Sequence, residues 1–340
     1  DRVDPENCYL EIDGRRIEGV PLFDSAHTEP DGVSGQLGVI GDDTEIALME
    51  VAHGSTDWVE LRRMATHQAL IIITRGHSPG LSLLNAFDFN APVGPPALQI
   101  SSTESEWLHE QAKTGAKVNV VAHASRSHAT AYNVTAKLIG RDITMPPLVV
   151  NTPRSGWWEI AAERGGGLAC WLEVLRSLVS TDTQRPVFFS ANTGHELGYS
   201  GIEAVLDAHQ NLATDATWVH FGANIGAASG TVGRLHVSTE RLRTLAEEKL
   251  EGVSRPVSYV GDGSLAPRTA AGGGEMTIVH RRGGRKYMAL TNNNAYFHMR
   301  EDRYPQNVNI DVVAEFANAF SSIAQLLANP QGEVIDGITD

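Results

Sequence analysis

Hydrophobic and polar positions divide the chain near residue 131. Before that point the apolar positions come in short bursts broken by Gly, Asp and Asn. Tyr9, Leu10 and Ile12 open a strand that turns at Asp13-Gly14. GQLGVIG and EIALMEVAHG follow as Gly-rich apolar segments, and LRRMATHQALIIITRG predicts a helix running into a buried strand over Leu70 to Thr74. PPALQISS, ESEWLHEQAKTG and AKVNVVAHA repeat the order of strand, short helix and strand. Ser102 or Thr103 is expected to cap that short helix, with Glu104 and Glu106 near its positive end.

From Tyr132 the pattern alternates more regularly. YNVTAKLIG and MPPLVVNT read as strands, the second apolar throughout, as a strand covered on both faces should be. GLACWLEVLRSLV follows as a helix, with Leu168, Trp171, Leu172, Leu175, Leu178 and Val179 expected on one face. RPVFFSAN and ATWVHFGANIG are strands, while SGIEAVLDAHQN and TERLRTLAEEKL are helices. GEMTIVH and KYMALTN are apolar runs of strand type, and RRGGRK between them reads as a solvated hairpin turn with a basic tip. Asp311 to Leu327 closes the chain as an amphipathic helix carrying Val312, Phe316, Phe320, Ile323 and Leu327. The expected fold class is therefore α/β, with a mixed, mostly parallel sheet covered by helices on both faces. A mainly β domain over residues 1–131 precedes an α/β domain over 132–330.

At 340 residues the chain is long for one core, which fits two domains. A net charge of −14 argues against nucleic acid or an anionic membrane as partner, since both are polyanions. No run is expected to reach the roughly 18 apolar residues that span a bilayer. Disorder is expected only over the last ten residues. Two cysteines, Cys8 and Cys170, make no disulfide framework, and Cys170 reads as a small core hydrophobe. Cytoplasmic location is the expectation, with secretion the alternative if a leader has been removed; a homodimer is left open.

Ligands in such sheets bind beyond the carboxyl ends of the strands. Four loops leave those ends with polar side chains. The first carries Thr152, Arg154, Ser155, Trp157 and Trp158 and leads to Glu163 before Gly165 to Gly167. The second carries His195-Glu196, and the third Asn224, with His220 earlier on its strand. The fourth carries Asn292, Asn293, Asn294 and His298. Glu163, Glu196 and His298 have the ligand types of a zinc site, and His195 can act as general acid or base. The plainer readings are an ion pair of Glu163 with Arg154 or Arg164, a helix-terminal role for Glu196 and core packing of one Trp.

YNVTAKLIG, PLVVNTPRSGWWEIAAERGGGLACWLEVLRSL, RPVFFSANTGHELGYSG and the closing FHMREDRYPQNVNIDVV together resemble the zinc exopeptidases of the glutamate carboxypeptidase and bacterial leucyl aminopeptidase type. The likeness runs in order through residues 132–328. Tyr9-Leu-Glu-Ile, RRMATHQALIIIT and PPALQISSTESEWL are similar to the protease-associated domain inserted in many members. The family's helix before that insert has no counterpart here, so an upstream segment is expected. An insert closing over the strand-end cleft would narrow the substrate range.

The resemblance also implies a degenerate two-metal site. Pro153 stands where the family's first His ligand falls, Ser155 at that His's supporting Asp, and Ala223 or Asn224 at a later Asp ligand. Glu163 takes the place of the bridging Asp, Glu196 that of a Glu ligand and His298 that of the final His. His195 replaces the carboxylate base. The resemblance thus implies a hydrolase of amide-type bonds in a small or short peptide-like substrate, with one divalent ion, zinc first, on Glu163, Glu196 and His298. His195 and Glu163 would be catalytic, and Arg154, Ser155, Trp157, Trp158, Asn293 and Asn294 would position substrate. The alternative is a metal-free member of the fold, either an acid/base enzyme of changed chemistry or a binding protein.

Overall fold

A computed structural model describes residues 1–260 and 273–330, so the last ten residues lie outside the described ones. The chain forms two compact units. The first comprises Asp1–Thr130 together with two short segments, Glu196–Gly198 and Ala295–Glu301; the other described residues form the second.

The first unit is built on an eight-stranded sheet in the order β2-β1-β8-β4-β5-β6-β7-β3. Its strands are β1 Arg2–Ile12, β2 Arg15–Glu18, β3 Val20–Pro21, β4 Val33–Val39, β5 Ile46–Ala52, β6 Ala69–Arg75, β7 Ala97–Ile100 and β8 Lys117–Ser127. Helices α1 Asp57–Met64 and α2 Ser105–Thr114 complete it. The Asp13-Gly14 turn joins β1 to β2 with both residues at positive φ, as a two-residue hairpin of this twist requires. The first strand begins seven residues earlier than its apolar pattern indicates. The capping hydroxyl is that of Ser101, which accepts from Thr103 N in the 3-10 turn leading to α2. Neither Ser102 nor Thr103 has that role.

The second unit holds a seven-stranded sheet in the order β14-β13-β15-β12-β10-β11-β9. Its strands are β9 Val134–Leu138, β10 Leu148–Pro153, β11 Val187–Asn192, β12 Thr217–Phe221, β13 Gly233–Val237, β14 Val257–Val260 and β15 Lys286–Asn292. The pairs β10–β11, β10–β12, β12–β15 and β13–β14 are parallel, and β9–β11 and β13–β15 antiparallel. This is the mixed, mostly parallel sheet expected, extended by β13 and β14, which the sequence pattern did not indicate. The helices are α3 Gly166–Val179, α4 Ser200–Ala208, α5 Leu212–Asp215, α6 Glu240–Leu250, α7 Glu275–Arg281 and α8 Ile310–Ala328. One apolar core lies under α3, α6 and α8, and another, on the other face, under α4, α5 and α7.

Four local expectations are corrected. GEMTIVH is not a strand: it forms α7. RRGGRK consequently links a helix to β15 and is no hairpin, and Arg281 and Arg282 pair with Glu203. On α3 the inward face is Cys170, Trp171, Val174 and Leu178, whereas Leu172 and Val179 are exposed. By length and mean hydropathy α8 could cross a membrane, contrary to the expectation from the sequence. It buries Val312, Phe316, Phe320, Ile323 and Leu327, which is how a core helix of a folded domain behaves. Cys170 packs in that core as expected, and burial pushes its thiol up to about 12.

Entry into α3 depends on glycine. A Cβ on Gly166 would stand 1.7 Å from the Ile225 carbonyl oxygen, so no other residue fits there. The close approach ties the start of α3 to the loop after β12.

Candidate active site

In the second unit the carboxyl ends of β10, β11 and β12 carry a row of polar side chains inside an otherwise apolar sheet. Register places Asn151 of β10 beside Ser190 of β11 on one side and His220 of β12 on the other. Asn192 lies two residues beyond Ser190. All four are buried, where a polar group without a partner would be costly.

They converge on Glu275, the first residue of α7, which is fully buried. Its Oε2 accepts from Asn151 Nδ2 at 3.0 Å and from Asn192 Nδ2 at 2.9 Å. Its Oε1 faces His195 Nδ1 at 3.9 Å. That is an ion-pair separation rather than a hydrogen bond. Both facing atoms are buried and neither makes a hydrogen bond, so a small turn of the imidazole would join them. The His195 ring is 12% exposed, and it meets Tyr199 edge-on at 5.0 Å. Its backbone N–H donates to Ser155 Oγ at 3.0 Å. Gly274, at φ +65°, lets α7 start against this ring: a Cβ there would lie 2.7 Å from His195 Cε1.

Burial pushes the Glu275 carboxyl up, but His195, His220 and the Asn192 amide outweigh it and hold the group below the usual carboxylate range. Burial pushes His220 down to about 4, with His195 and Arg164 adding to the effect and Glu275 opposing it. His220 is therefore a neutral imidazole at ordinary pH. Its Nδ1 stands 3.1 Å from Asn151 Oδ1.

A second polar group surrounds the wide helical turn Ala161–Gly165 that leads into α3. Glu163 and Arg164 are both buried and paired, Oε1 to Nη2 at 3.0 Å. Arg164 Nε also donates to the Ser155 carbonyl at 2.8 Å. The Asp302 carboxylate accepts from the backbone N–H groups of Ala162 at 3.0 Å and Glu163 at 2.8 Å. Burial raises the Asp302 carboxyl, with the two N–H groups acting against it.

The remaining expected residues are placed as follows. Arg154 is exposed, and its Nη1 donates to the Tyr132 carbonyl at 2.7 Å. Trp157 and Trp158 are half-buried, Trp158 at φ +60°. Asn293 is exposed and accepts from Thr231 N; Asn294 is buried and accepts from Ser229 Oγ. Glu196 and His298 are buried and belong to the first unit. There His298 Nδ1 lies 2.8 Å from the Leu83 carbonyl and its ring packs against Phe297 and His53.

His195, Ser155, Glu163 and Arg164 are among the residues expected from the sequence, whereas Glu275, Asn151, Asn192, Ser190 and Asp302 are not. For Asn151, Ser190 and Asn192 a signal was present: a polar residue inside a strand otherwise buried on both faces. Glu275 had none once its segment was read as a strand.

Among the described residues, no three His, Cys, Asp or Glu side chains form a group that could hold a metal ion.

Similar solved structures include BSAP, a zinc aminopeptidase from Bacillus subtilis, with a TM-score of 0.74, 16% identity and coverage of 98% of this chain and 86% of that one. A peptidase M28 precursor from Shewanella amazonensis SB2B matches with a TM-score of 0.75 at 15% identity, over 98% and 83% of the two chains. An aminopeptidase from Aneurinibacillus sp. strain AM-1 matches with 0.70 at 17% identity, over 100% and 86%. No protein-family model matches the sequence, and no curated protein matches it. Identities this low establish architecture alone, and on that measure the chain carries the fold of the zinc aminopeptidases.

Proposed function

We propose that the chain is a hydrolase of amide-type bonds in a small, peptide-like substrate. His195 is its acid/base group, and Glu275 is the carboxylate that orients it. The observation that carries this reading is a buried carboxylate, fixed by two carboxamides, facing an imidazole at the rim of the sheet. The fold supports the reaction class, since the proteins it is similar to include aminopeptidases.

The residues divide the work as follows. Glu275 holds the Nδ1–H side of His195 and stabilises the imidazolium once it forms. Nε2 is then the atom that takes a proton from the attacking water and returns it to the leaving nitrogen. Ser155 anchors the backbone of His195, and Arg164 anchors Ser155 in turn. Of the residues expected to position substrate, Trp157 and Trp158 keep partly open apolar surface for a side chain. The amide oxygens of Asn293 and Asn294 are taken up by Thr231 and Ser229 of the segment between β12 and β13.

Zinc, which the resemblance implies, fits the donor set poorly. The Glu163 carboxylate already meets a guanidinium, both of them buried. A carboxylate already neutralised by a buried cation is a poorer ligand for a second one. The proton transfers at His195 need no ion on Glu163, Glu196 and His298.

The test is turnover of a panel of small aminoacyl amides, with metal analysis of the same protein and with exhaustive chelation. Replacing His195 by Gln should lower turnover by on the order of a hundredfold or more, the worth of a positioned acid/base group. Activity should survive chelation. Near-normal turnover in His195→Gln refutes the role of His195. Activity lost on chelation and restored by zinc refutes the metal-free chemistry.

A further inference from the structure

The polar row behind Glu275 has a direction. A carboxamide has one end that donates and one that accepts, and a carboxylate can only accept. Asn151 stands between His220 and Glu275, so its Nδ2 faces the carboxylate and its Oδ1 faces the imidazole. His220 must then donate through Nδ1–H. Its neutrality, enforced by burial, leaves one ring proton, and the neighbouring amide oxygen draws that proton to Nδ1. Asn192 is arranged the same way: Ser190 Oγ donates to its Oδ1, and its Nδ2 goes to Glu275.

The two amide N–H groups both end on Oε2. Oε1 is left as the acceptor aimed at His195 Nδ1. If either amide turned over, an oxygen would face the carboxylate and repel it. We infer that His220 and Ser190 are positioning residues that lock the Asn151 and Asn192 amides toward Glu275, and so fix His195 as the Nδ1–H tautomer with its lone pair on Nε2. Both are buried, and the hydrogen bond of each goes to one of the two amides. The inference rests on His195 and Glu275 being the acid/base pair only for its catalytic meaning; the tautomer itself is measurable without substrate.

The experiment is two-bond proton–nitrogen correlation NMR on the nitrogen-labelled full chain at neutral pH. The His195 ring signals are assigned as those lost in His195→Gln. In the unaltered protein His195 should show the Nδ1–H pattern alone. Ser190→Ala and His220→Phe should each bring in the Nε2–H form. His220→Asn, whose amide nitrogen stands where Nδ1 stood, should restore the single tautomer. Ser190→Ala deletes one oxygen and tests the inference even if His220→Phe fails to fold. In turnover, Ser190→Ala and His220→Phe should lower kcat by on the order of tenfold with KM little changed, a share of what an acid/base group is worth. A His195 tautomer unchanged in Ser190→Ala overturns the inference. A tautomer that shifts as expected, together with normal turnover in His195→Gln, would uphold the lock and refute the proposed function instead.

Discussion

Acidification should destabilise the second unit through His220, by an amount its burial sets. An unfolded His takes up a proton near 6.5, whereas folded His220 does so only near 4. Between those values the unfolded state binds more protons, so stability falls as pH falls. The contribution is complete above about 6.5 and fully lost by about 4. At about 1.36 kcal/mol for each pH unit, the gap is worth about 3 kcal/mol. Glu275, held below its ordinary range, loses its own contribution as pH falls through its folded value, in the same direction. The comparison that isolates His220 is therefore with His220→Asn, which keeps a donor toward Asn151 and cannot titrate. Urea unfolding of both proteins at closely spaced pH values between 7 and 4, followed by tryptophan fluorescence, gives the two curves. The unaltered protein should lose about 3 kcal/mol more than the variant across that range. Parallel curves would mean that His220 accepts a proton in the folded state, and the burial argument would fail.

Other substitutions probe the surroundings. Gly166→Ala drives a methyl into the Ile225 carbonyl and should cost about 3 kcal/mol or more, read as a drop in the thermal midpoint, since backbone on both sides must move. Glu163→Gln leaves Arg164 buried beside a neutral partner and should cost roughly 3–5 kcal/mol in urea unfolding; a loss below about 1 kcal/mol would show that water reaches the guanidinium. Asp302→Ala removes the acceptor from two backbone N–H groups and should cost about 2 kcal/mol, with hydrogen exchange at Ala162 and Glu163 quickened.

The sheet of the second unit was readable because its strands obey one rule: Leu148–Pro153 and Val187–Asn192 are buried on both faces and open with unbroken apolar runs, Leu148 to Val150 and Val187 to Phe189. α7 defeated the same rule. Five of its seven residues are buried, so no polar face marks a helical period, and a run of that length fits either element. The exposure of Leu172 and Val179 is invisible to periodicity, because the apolar stripe on α3 is wider than the face it buries. His195 was found through its place in a resemblance, whereas Glu275 lies eighty residues on and joins it only through the fold. The ion pair of Glu163 with Arg164 was one of the plainer readings open from sequence; which arginine it chose depended on the geometry of the turn Ala161–Gly165.

Four residues other than glycine sit at positive φ in the loops that leave β10, β11 and β12: Trp158, Ile160, Tyr199 and Asn224. Ile160 is branched at Cβ, for which that conformation is especially unfavourable. Each such residue costs on the order of 1–3 kcal/mol and persists only where its surroundings enforce it. A laboratory selection for heat resistance would therefore find its easiest gains here, by glycine or asparagine replacement of Trp158, Ile160 or Tyr199. Those gains would come out of the loops that hold Ser155 and carry Tyr199 against His195, so variants selected for endurance alone should drift toward a sturdier protein with a blunted rim.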